Sequence, residues 1–255
     1  MNHNEHRDTV AVTDLGAYKR NLEKIKRFVG DGVRLMAVVK ANAYGHGLVE
    51  CAKTALKAGA SMLGVAFVSE GVTLRMAGID APVLVFVPES PSSWRLYSSH
   101  NLTMTITSGE MLDDIQTLLE KDIAGFRVHI KVDTGMGRVG VHPDMTVELV
   151  ERVSRIPGLT VEGIYTHFPS ADEDRDDFSR GQIVHFRELL DTLSVRGLRP
   201  PLVHMCNSAG TLKFPEAHFD LVRPGIKSYG LTPSPGSRDL LEFEPVQSLT
   251  SKRRS

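Results

Sequence analysis

The chain has 255 residues, 41% of them hydrophobic and 24% charged, with a formal net charge of −1 at pH 7. That length suits one large α/β barrel or two small domains, with enough apolar material for a sizeable core. The charge balance excludes a strongly basic nucleic-acid binder or a polybasic membrane-surface protein. Two cysteines, Cys51 and Cys206, lie too far apart to suggest a metal-ligand spacing or a disulfide framework, so a reducing cytoplasm is the expected compartment.

Residues 1–8 are polar and contain no apolar run, so neither a signal peptide nor a membrane span is expected there. Residues 14–28 place Leu15, Tyr18, Leu22 and Ile25 on one helical face. Eight apolar runs of strand length follow, at residues 34–40, 62–68, 83–87, 102–107, 126–132, 159–165, 202–206 and 219–222. Most are rich in Val, Ile and Leu with little alternation, as strands buried on both faces should be. The stretches between them read as helices. Ser108 is placed to cap one beginning near Met111. Residues 143–156 and 181–195 are two more. Eight strands alternating with helices predict a parallel (β/α)8 barrel of the TIM type, although an open doubly wound sheet uses the same local alphabet. The barrel is expected to occupy residues 1–235. Residues 236–255 then read as a tail or as the cut-short start of a β-rich second domain, with a strand beginning near Pro245.

The chemistry concentrates at the C-terminal ends of these runs, where barrel enzymes hold their reactive groups. Lys40 ends the first run, in Ala37-Val38-Val39-Lys40-Ala41-Asn42-Ala43-Tyr44-Gly45-His46-Gly47. A lysine there is poorly solvated, which lowers its pKa and makes it a better nucleophile toward an aldehyde. The bland alternative is a lysine snorkelling out at a strand end. After the fifth run comes Lys131-Val132-Asp133-Thr134-Gly135-Met136-Gly137-Arg138-Val139-Gly140, a tight loop with a fixed cation at its rim. His167 follows the sixth run. Asn207-Ser208 and Arg223-Pro224-Gly225-Ile226 follow the last two, the position where barrels often bind phosphate. The Ser208 hydroxyl with the N–H groups of Gly225 and Ile226 would cradle one, although Ser208 alone reads equally as a helix cap. The acidic run 172–177 reads as a solvated loop ahead of a helix rather than a metal site. Cys206 reads as a small buried hydrophobe.

These segments resemble the alanine racemases, strand after strand, over most of the chain. The match through 38–47 is without a gap. The resemblance implies a pyridoxal 5′-phosphate enzyme in which Lys40 carries the cofactor as a Schiff base and serves as the base on the D side. It implies further that Tyr44 meets the cofactor phosphate and that Arg138 meets the phenolic oxygen. Lys131 would be carbamylated to position Arg138, although an ordinary strand lysine is the alternative. His167 would lie behind the ring, hydrogen-bonded to an arginine, and Arg223 would face the pyridine nitrogen. Arginine is donor-only, so that nitrogen would stay unprotonated, a weaker electron sink that suppresses transamination. Asn207, Ser208, Gly225 and Ile226 complete the phosphate loops.

The implied reaction interconverts L- and D-alanine and so supplies D-alanine for peptidoglycan, in a cytoplasmic homodimer with no nucleic-acid or membrane partner and no metal. In that family the L-side base is a tyrosine from the second domain of the partner subunit. Its absence from this sequence leads to an expectation of weak turnover, since one general acid–base group contributes about 10²–10⁴-fold. Lys227-Ser228 and Met205-Cys206 depart from the small or apolar residues usual there, which leaves serine open as a substrate. The competing readings are a pyridoxal-phosphate-binding single barrel or degenerate fragment without turnover, and a related decarboxylase or aldolase.

Overall fold

A computed structural model describes residues 9–119, 125–232 and 241–251. The expectation for residues 1–8 lies outside the described residues. Eight parallel strands close into a barrel, and a two-stranded antiparallel ribbon stands apart from it.

The ribbon's first strand, β1 (Thr9–Thr13), precedes helix α1 (Leu15–Val29). The Asp14 carboxylate accepts from the Ala17 amide at 2.9 Å and caps α1. Tyr18, Leu22 and Ile25 are buried as the helical period predicted. Then follow β2 (Arg34–Val38), α2 (Lys40–Tyr44), α3 (Leu48–Lys57), β3 (Met62–Val65), α4 (Val68–Met76), β4 (Val83–Val85), α5 (Trp94–Ser99), β5 (Thr103–Ile106) and α6 (Gly109–Leu119). The Ser108 hydroxyl accepts from the Met111 amide at 3.4 Å, the expected cap. The second half continues with β6 (Phe126–Lys131), α7 (Pro143–Arg155), β7 (Leu159–Tyr165), α8 (Asp177–Val195), β8 (Leu202–His204), α9 (Ser208–Lys213) and β9 (Leu221–Val222). Strand β9 pairs with β2 and closes the barrel. Finally β10 (Gln247–Ser251) pairs antiparallel with β1. The strand expected near Pro245 is this one. Its partner near the N-terminus was not anticipated. None of the described helices is long and apolar enough to cross a membrane.

Most apolar runs overshoot their strands at the C-terminal end. The run 34–40 yields a strand that stops at Val38, and the run 62–68 yields one that stops at Val65. Some of the extra residues still bond to the neighbouring strand, the Val39 amide to Gly64 O and the Val87 amide to Ala66 O, before the chain turns into the mouth, so composition does not mark where the strand ends.

Two apolar cores result. Outward residues such as Leu35, Ala37, Leu63 and Val65 pack under the helices. Inward residues Met36, Met62, Leu84, Tyr165 and Leu221 form a separate cluster in the lumen. Gly64 makes room there for the Phe86 ring, which would lie 2.5 Å from a Cβ at that position.

Candidate active site

The mouth of the barrel holds a cavity of about 280 Å³. All ten residues singled out from the sequence line it: Lys40, Tyr44, Lys131, Arg138, His167, Asn207, Ser208, Arg223, Gly225 and Ile226. Val38, Phe86, Tyr165, Asp172 and Ala209 join them. Four of these residues are cations and one, Asp172, is a carboxylate. The acidic run 172–177 is therefore not wholly a solvated loop. Asp176 pairs with Lys213 at 2.7 Å and Asp172 faces the cavity.

Lys40 opens α2, and α2 is not an ordinary helical turn. Ala41, Asn42, Ala43 and Tyr44 all have φ of 53–54°, in the left-handed region. For residues with a Cβ this costs roughly 1–2 kcal/mol each, strain that persists only where surroundings over-determine it. Several bonds hold it. The Gly45 amide donates to Ala41 O and Asn42 O, both at 3.1 Å. The Asn42 side-chain oxygen accepts from the Leu48 amide at 2.8 Å. Tyr44 packs edge-on against Tyr229, ring centres 5.3 Å apart. The turn brings Tyr44 round to the phosphate-loop side, where a Cβ on Gly225 would lie 2.8 Å from the Tyr44 hydroxyl. Burial, then the Arg138 charge, holds the Lys40 ammonium below its ordinary pKa, with Glu70 opposing. Burial keeps Tyr44 a phenol, its pKa pushed up to about 12.

Asp133 organises the glycine loop. Its carboxylate accepts from the amides of Gly135 and Gly137, each at 3.0 Å, and of Arg138 at 3.1 Å. The loop presents Arg138 beside Lys131, whose pKa falls to about 8 through burial and then the charges of Arg138 and Arg223. A lysine so depressed is still mainly ammonium near neutrality, but it holds a larger share of neutral amine, the form that reacts with CO₂ or an aldehyde, than an ordinary lysine does.

The two segments expected to bind phosphate meet each other in the structure. The Ser208 hydroxyl accepts from the Gly225 amide at 2.8 Å and the Lys227 amide at 3.3 Å. Hence Gly225 N–H is engaged within the protein, and Ser208 Oγ retains its own proton to donate. Asn207, not Ser208, caps α9. Its side-chain oxygen accepts from the Gly210 amide at 2.9 Å, and its Nδ2 donates to Phe168 O at 3.0 Å.

Arg223 is 4% exposed. Its Nη1 donates to His204 Nδ1 at 2.7 Å, and its Nη2 to Thr166 O at 2.8 Å, Met205 O at 3.1 Å and His167 Nδ1 at 3.2 Å. Every one of these partners is neutral. Its guanidinium also lies 5.2 Å from the Tyr165 ring centre. A buried cation without a counter-ion is costly, and burial lowers its pKa to about 10. Among the described residues no hydrogen bond engages its Nε–H, which leaves that donor for a group in the cavity.

Since Arg223 only donates, His204 Nδ1 must accept, so its proton sits on Nε2. That N–H meets His129 Nδ1 at 2.8 Å, which puts the His129 proton on Nε2 in turn. Burial and then the Arg223 charge keep both imidazoles neutral, His129 at about 3. His167 is held down to about 3 for the same first reasons.

Tyr165, His129 and His204 were not flagged from the sequence, although a signal existed. Strand β6 alternates Arg127, His129 and Lys131 with Val128 and Ile130. Polar side chains at every second position of a buried strand mark a polar lumen.

Comparison with known proteins gives a consistent picture. A family model described as alanine racemase, N-terminal domain, matches residues 13–233. An alanine racemase of Geobacillus stearothermophilus is 44% identical over 239 residues, covering 93% of this chain and 61% of that protein. One of Symbiobacterium thermophilum is 42% identical over 248 residues, covering 97% and 65%. The structure of alanine racemase from Bacillus anthracis with bound L-Ala-P aligns with a TM-score of 0.90 at 39% identity, covering 96% of this chain and 64% of that one. The complex of the Clostridium difficile 630 enzyme with cycloserine aligns at 0.92 and 31%, covering 96% and 68%. The chain spans 61% to 65% of the length of these two curated relatives.

Proposed function

The chain belongs to the alanine racemase family, and from that premise we propose that it binds pyridoxal 5′-phosphate through Lys40 and moves the α-proton of alanine between its L and D forms. The observation that carries this reading is the charge of the cavity. Lys40, Lys131, Arg138 and Arg223, the last without a counter-ion among the described residues, share the cavity lining with one carboxylate, Asp172. Such a site selects an anion, and a phosphate-bearing cofactor with a phenolic oxygen and a ring nitrogen matches its donors.

Lys40 Nζ would be the amine that holds the cofactor aldehyde. Tyr44 and Ser208, beside Gly225 and Ile226, would hydrogen-bond the phosphate through their hydroxyls, with Asn207 fixing the loop. Arg138 would serve the phenolic oxygen, and a carbamate on Lys131 would orient it. Arg223, bonded to His167, would offer its Nε–H to the ring nitrogen and keep it an acceptor, which would disfavour transamination. When bound, the cofactor supplies a conjugated ring that takes up the electron pair left as the α-proton departs. Lys40, whose ammonium burial destabilises, takes and returns that proton on its own face of the substrate.

Among the described residues the cavity-lining tyrosines are Tyr44 and Tyr165. The Tyr165 hydroxyl bonds Thr105 at 3.1 Å, and Tyr44 packs on Tyr229. Neither is presented as an opposing base. We therefore assign exchange from D-alanine to this chain, with full racemisation weak unless a second base is brought to the mouth. The remaining expectations are part of the same proposal: a barrel to residue 235 followed by the start of a β domain, a cytoplasmic homodimer, and D-alanine supply for peptidoglycan.

Proton NMR of L- and D-alanine, taken separately in D₂O with cofactor, tests this. Loss of the D-alanine α-proton signal with retained configuration is the expected result. Formation of the opposite enantiomer would reveal a second base. No exchange from either substrate, despite bound cofactor, would overturn the racemase assignment and leave a cofactor-binding barrel.

A further inference from the structure

We propose that Glu70, outside the cavity lining, is a positioning residue for Lys40, its carboxylate clamping the left-handed turn that carries the lysine to the neighbouring βα loop. The proposal deepens the assignment of Lys40 as the cofactor lysine and rests on it for its functional meaning.

The two oxygens of Glu70 do different things. Oε2 accepts from the Ala66 amide at 2.8 Å and the Phe67 amide at 3.3 Å, which is the ordinary service of an N3 glutamate to the start of its own helix, α4. Oε1 reaches away from α4 and accepts from the Asn42 amide at 3.3 Å. Asn42 stands two residues after Lys40, inside the left-handed stretch. Helix α4 does not depend on Glu70 alone, because Glu89 Oε1 accepts from the Val68 amide. Capping therefore accounts for Oε2 and leaves the bond of Oε1 to the turn unexplained.

Asn42 is gripped on both sides. Its amide donates to Glu70, and its side-chain oxygen accepts from Leu48 N at the start of α3. The two contacts tie the strained turn to α4 and to α3. The turn cannot relax toward right-handed backbone without releasing one of them, and relaxation would swing Lys40 out of line with Tyr44. The same carboxylate supplies the negative charge acting on Lys40. The other charges about Lys40 are Arg138 on the glycine loop, Lys131 at the end of β6, and His167 after β7 when protonated. Glu70 thus opposes the depression of the Lys40 pKa by burial and Arg138.

The test uses the full chain without cofactor, comparing wild type with Glu70→Ala and Glu70→Gln. Hydrogen exchange resolved at the Asn42 amide reads the clamp. Competitive acetylation of Lys40 with acetic anhydride across pH reads its pKa. Glu70→Ala is expected to speed Asn42 exchange about tenfold or more, as loss of a charge-assisted hydrogen bond should. Glu70→Gln, which retains an acceptor oxygen, is expected to restore part of that protection. Both variants are expected to move the Lys40 acetylation midpoint to lower pH. A residue that only capped α4 would move neither readout. Unchanged Asn42 exchange in Glu70→Ala, or an unmoved Lys40 midpoint in Glu70→Gln, would overturn the proposal. Borohydride trapping of pyridoxal phosphate on wild-type Lys40, read by peptide mass, separates the two ideas. Its failure counts against the cofactor assignment while the exchange and acetylation results still judge the clamp.

Discussion

The two ends of the barrel lumen are built from the same strands and do opposite things. Toward the N-terminal ends, Met36, Met62, Leu84 and Leu221 form an apolar plug. Toward the C-terminal ends, the lumen collects Lys40, Lys131, Arg138 and Arg223 about a cavity. Strand β9 makes the transition in two residues, from Leu221 to Arg223. Strand β6 does not share the plug: its lumen-facing residues are Arg127, His129 and Lys131, polar along its length. The plug gains from burial and asks nothing of geometry beyond fit. The mouth buries Lys131, Arg223 and neutral histidines and carries a left-handed turn, features that are each unfavourable by themselves. The difference teaches that this fold keeps its stability at one end and its strained, ligand-demanding chemistry at the other.

The comparison can be broken at either end. At the mouth, Lys40→Ala is expected to abolish borohydride-trapped cofactor altogether while the melting temperature stays near that of wild type. A large fall in melting temperature would show that the mouth carries stability too. At the plug, Leu84→Ala, fully buried, is expected to cost about 2–5 kcal/mol in urea unfolding and to leave cofactor trapping intact in the folded fraction. Between them, Gly163 lies against the His129 ring, whose atoms would be 2.7–2.9 Å from an added Cβ. Gly163→Ala should cost about 1–3 kcal/mol by overpacking and weaken cofactor affinity through His204 and Arg223. An effect on stability alone would show the histidine pair to be inert toward the mouth.

Acid should act on the mouth half. His129 is held neutral to about pH 3 in the folded chain, against an unfolded pKa near 6.5. Between those values the unfolded chain binds the extra proton. Stability is therefore fully present above about pH 6.5 and falls as pH drops toward 3. His204 is shifted in the same direction. Melting temperature measured from pH 8 to pH 4 should decline below 6.5, and His129→Phe should flatten that decline. The smallest effect is expected outside the lumen. Arg20 and Glu244 form a 2.6 Å ion pair that is about half exposed, and such pairs contribute little. Arg20→Ala should leave both melting temperature and cofactor trapping within experimental error.

Much of this was legible from residues alone. Ser108 marked a helix start because a short polar side chain stands just before an amphipathic period. The eight apolar runs implied a buried parallel sheet, and the residues at their C-terminal ends proved to share one cavity, because strand ends in a closed barrel converge. What remained hidden depends on contacts between strands distant in sequence. That Asn207 rather than Ser208 caps α9 follows from Ser208 being occupied by the amides of Gly225 and Lys227, which lie on the next strand's loop. The left-handed turn after Lys40 is invisible in Ala-Asn-Ala-Tyr, since three of those residues ordinarily avoid that backbone. It is held by bonds within the turn from the Gly45 amide and by contacts with Glu70, Leu48 and Tyr229. The neutral histidine relay and the all-neutral partners of Arg223 among the described residues are likewise products of the lumen, where charge state is set by what surrounds a group rather than by the group itself. Sequence by itself determined the local periods, the Ser108 cap and most of the reactive side chains. The tertiary structure decided their protonation, their partners and the strain they bear, because those are properties of burial and proximity that no single segment carries.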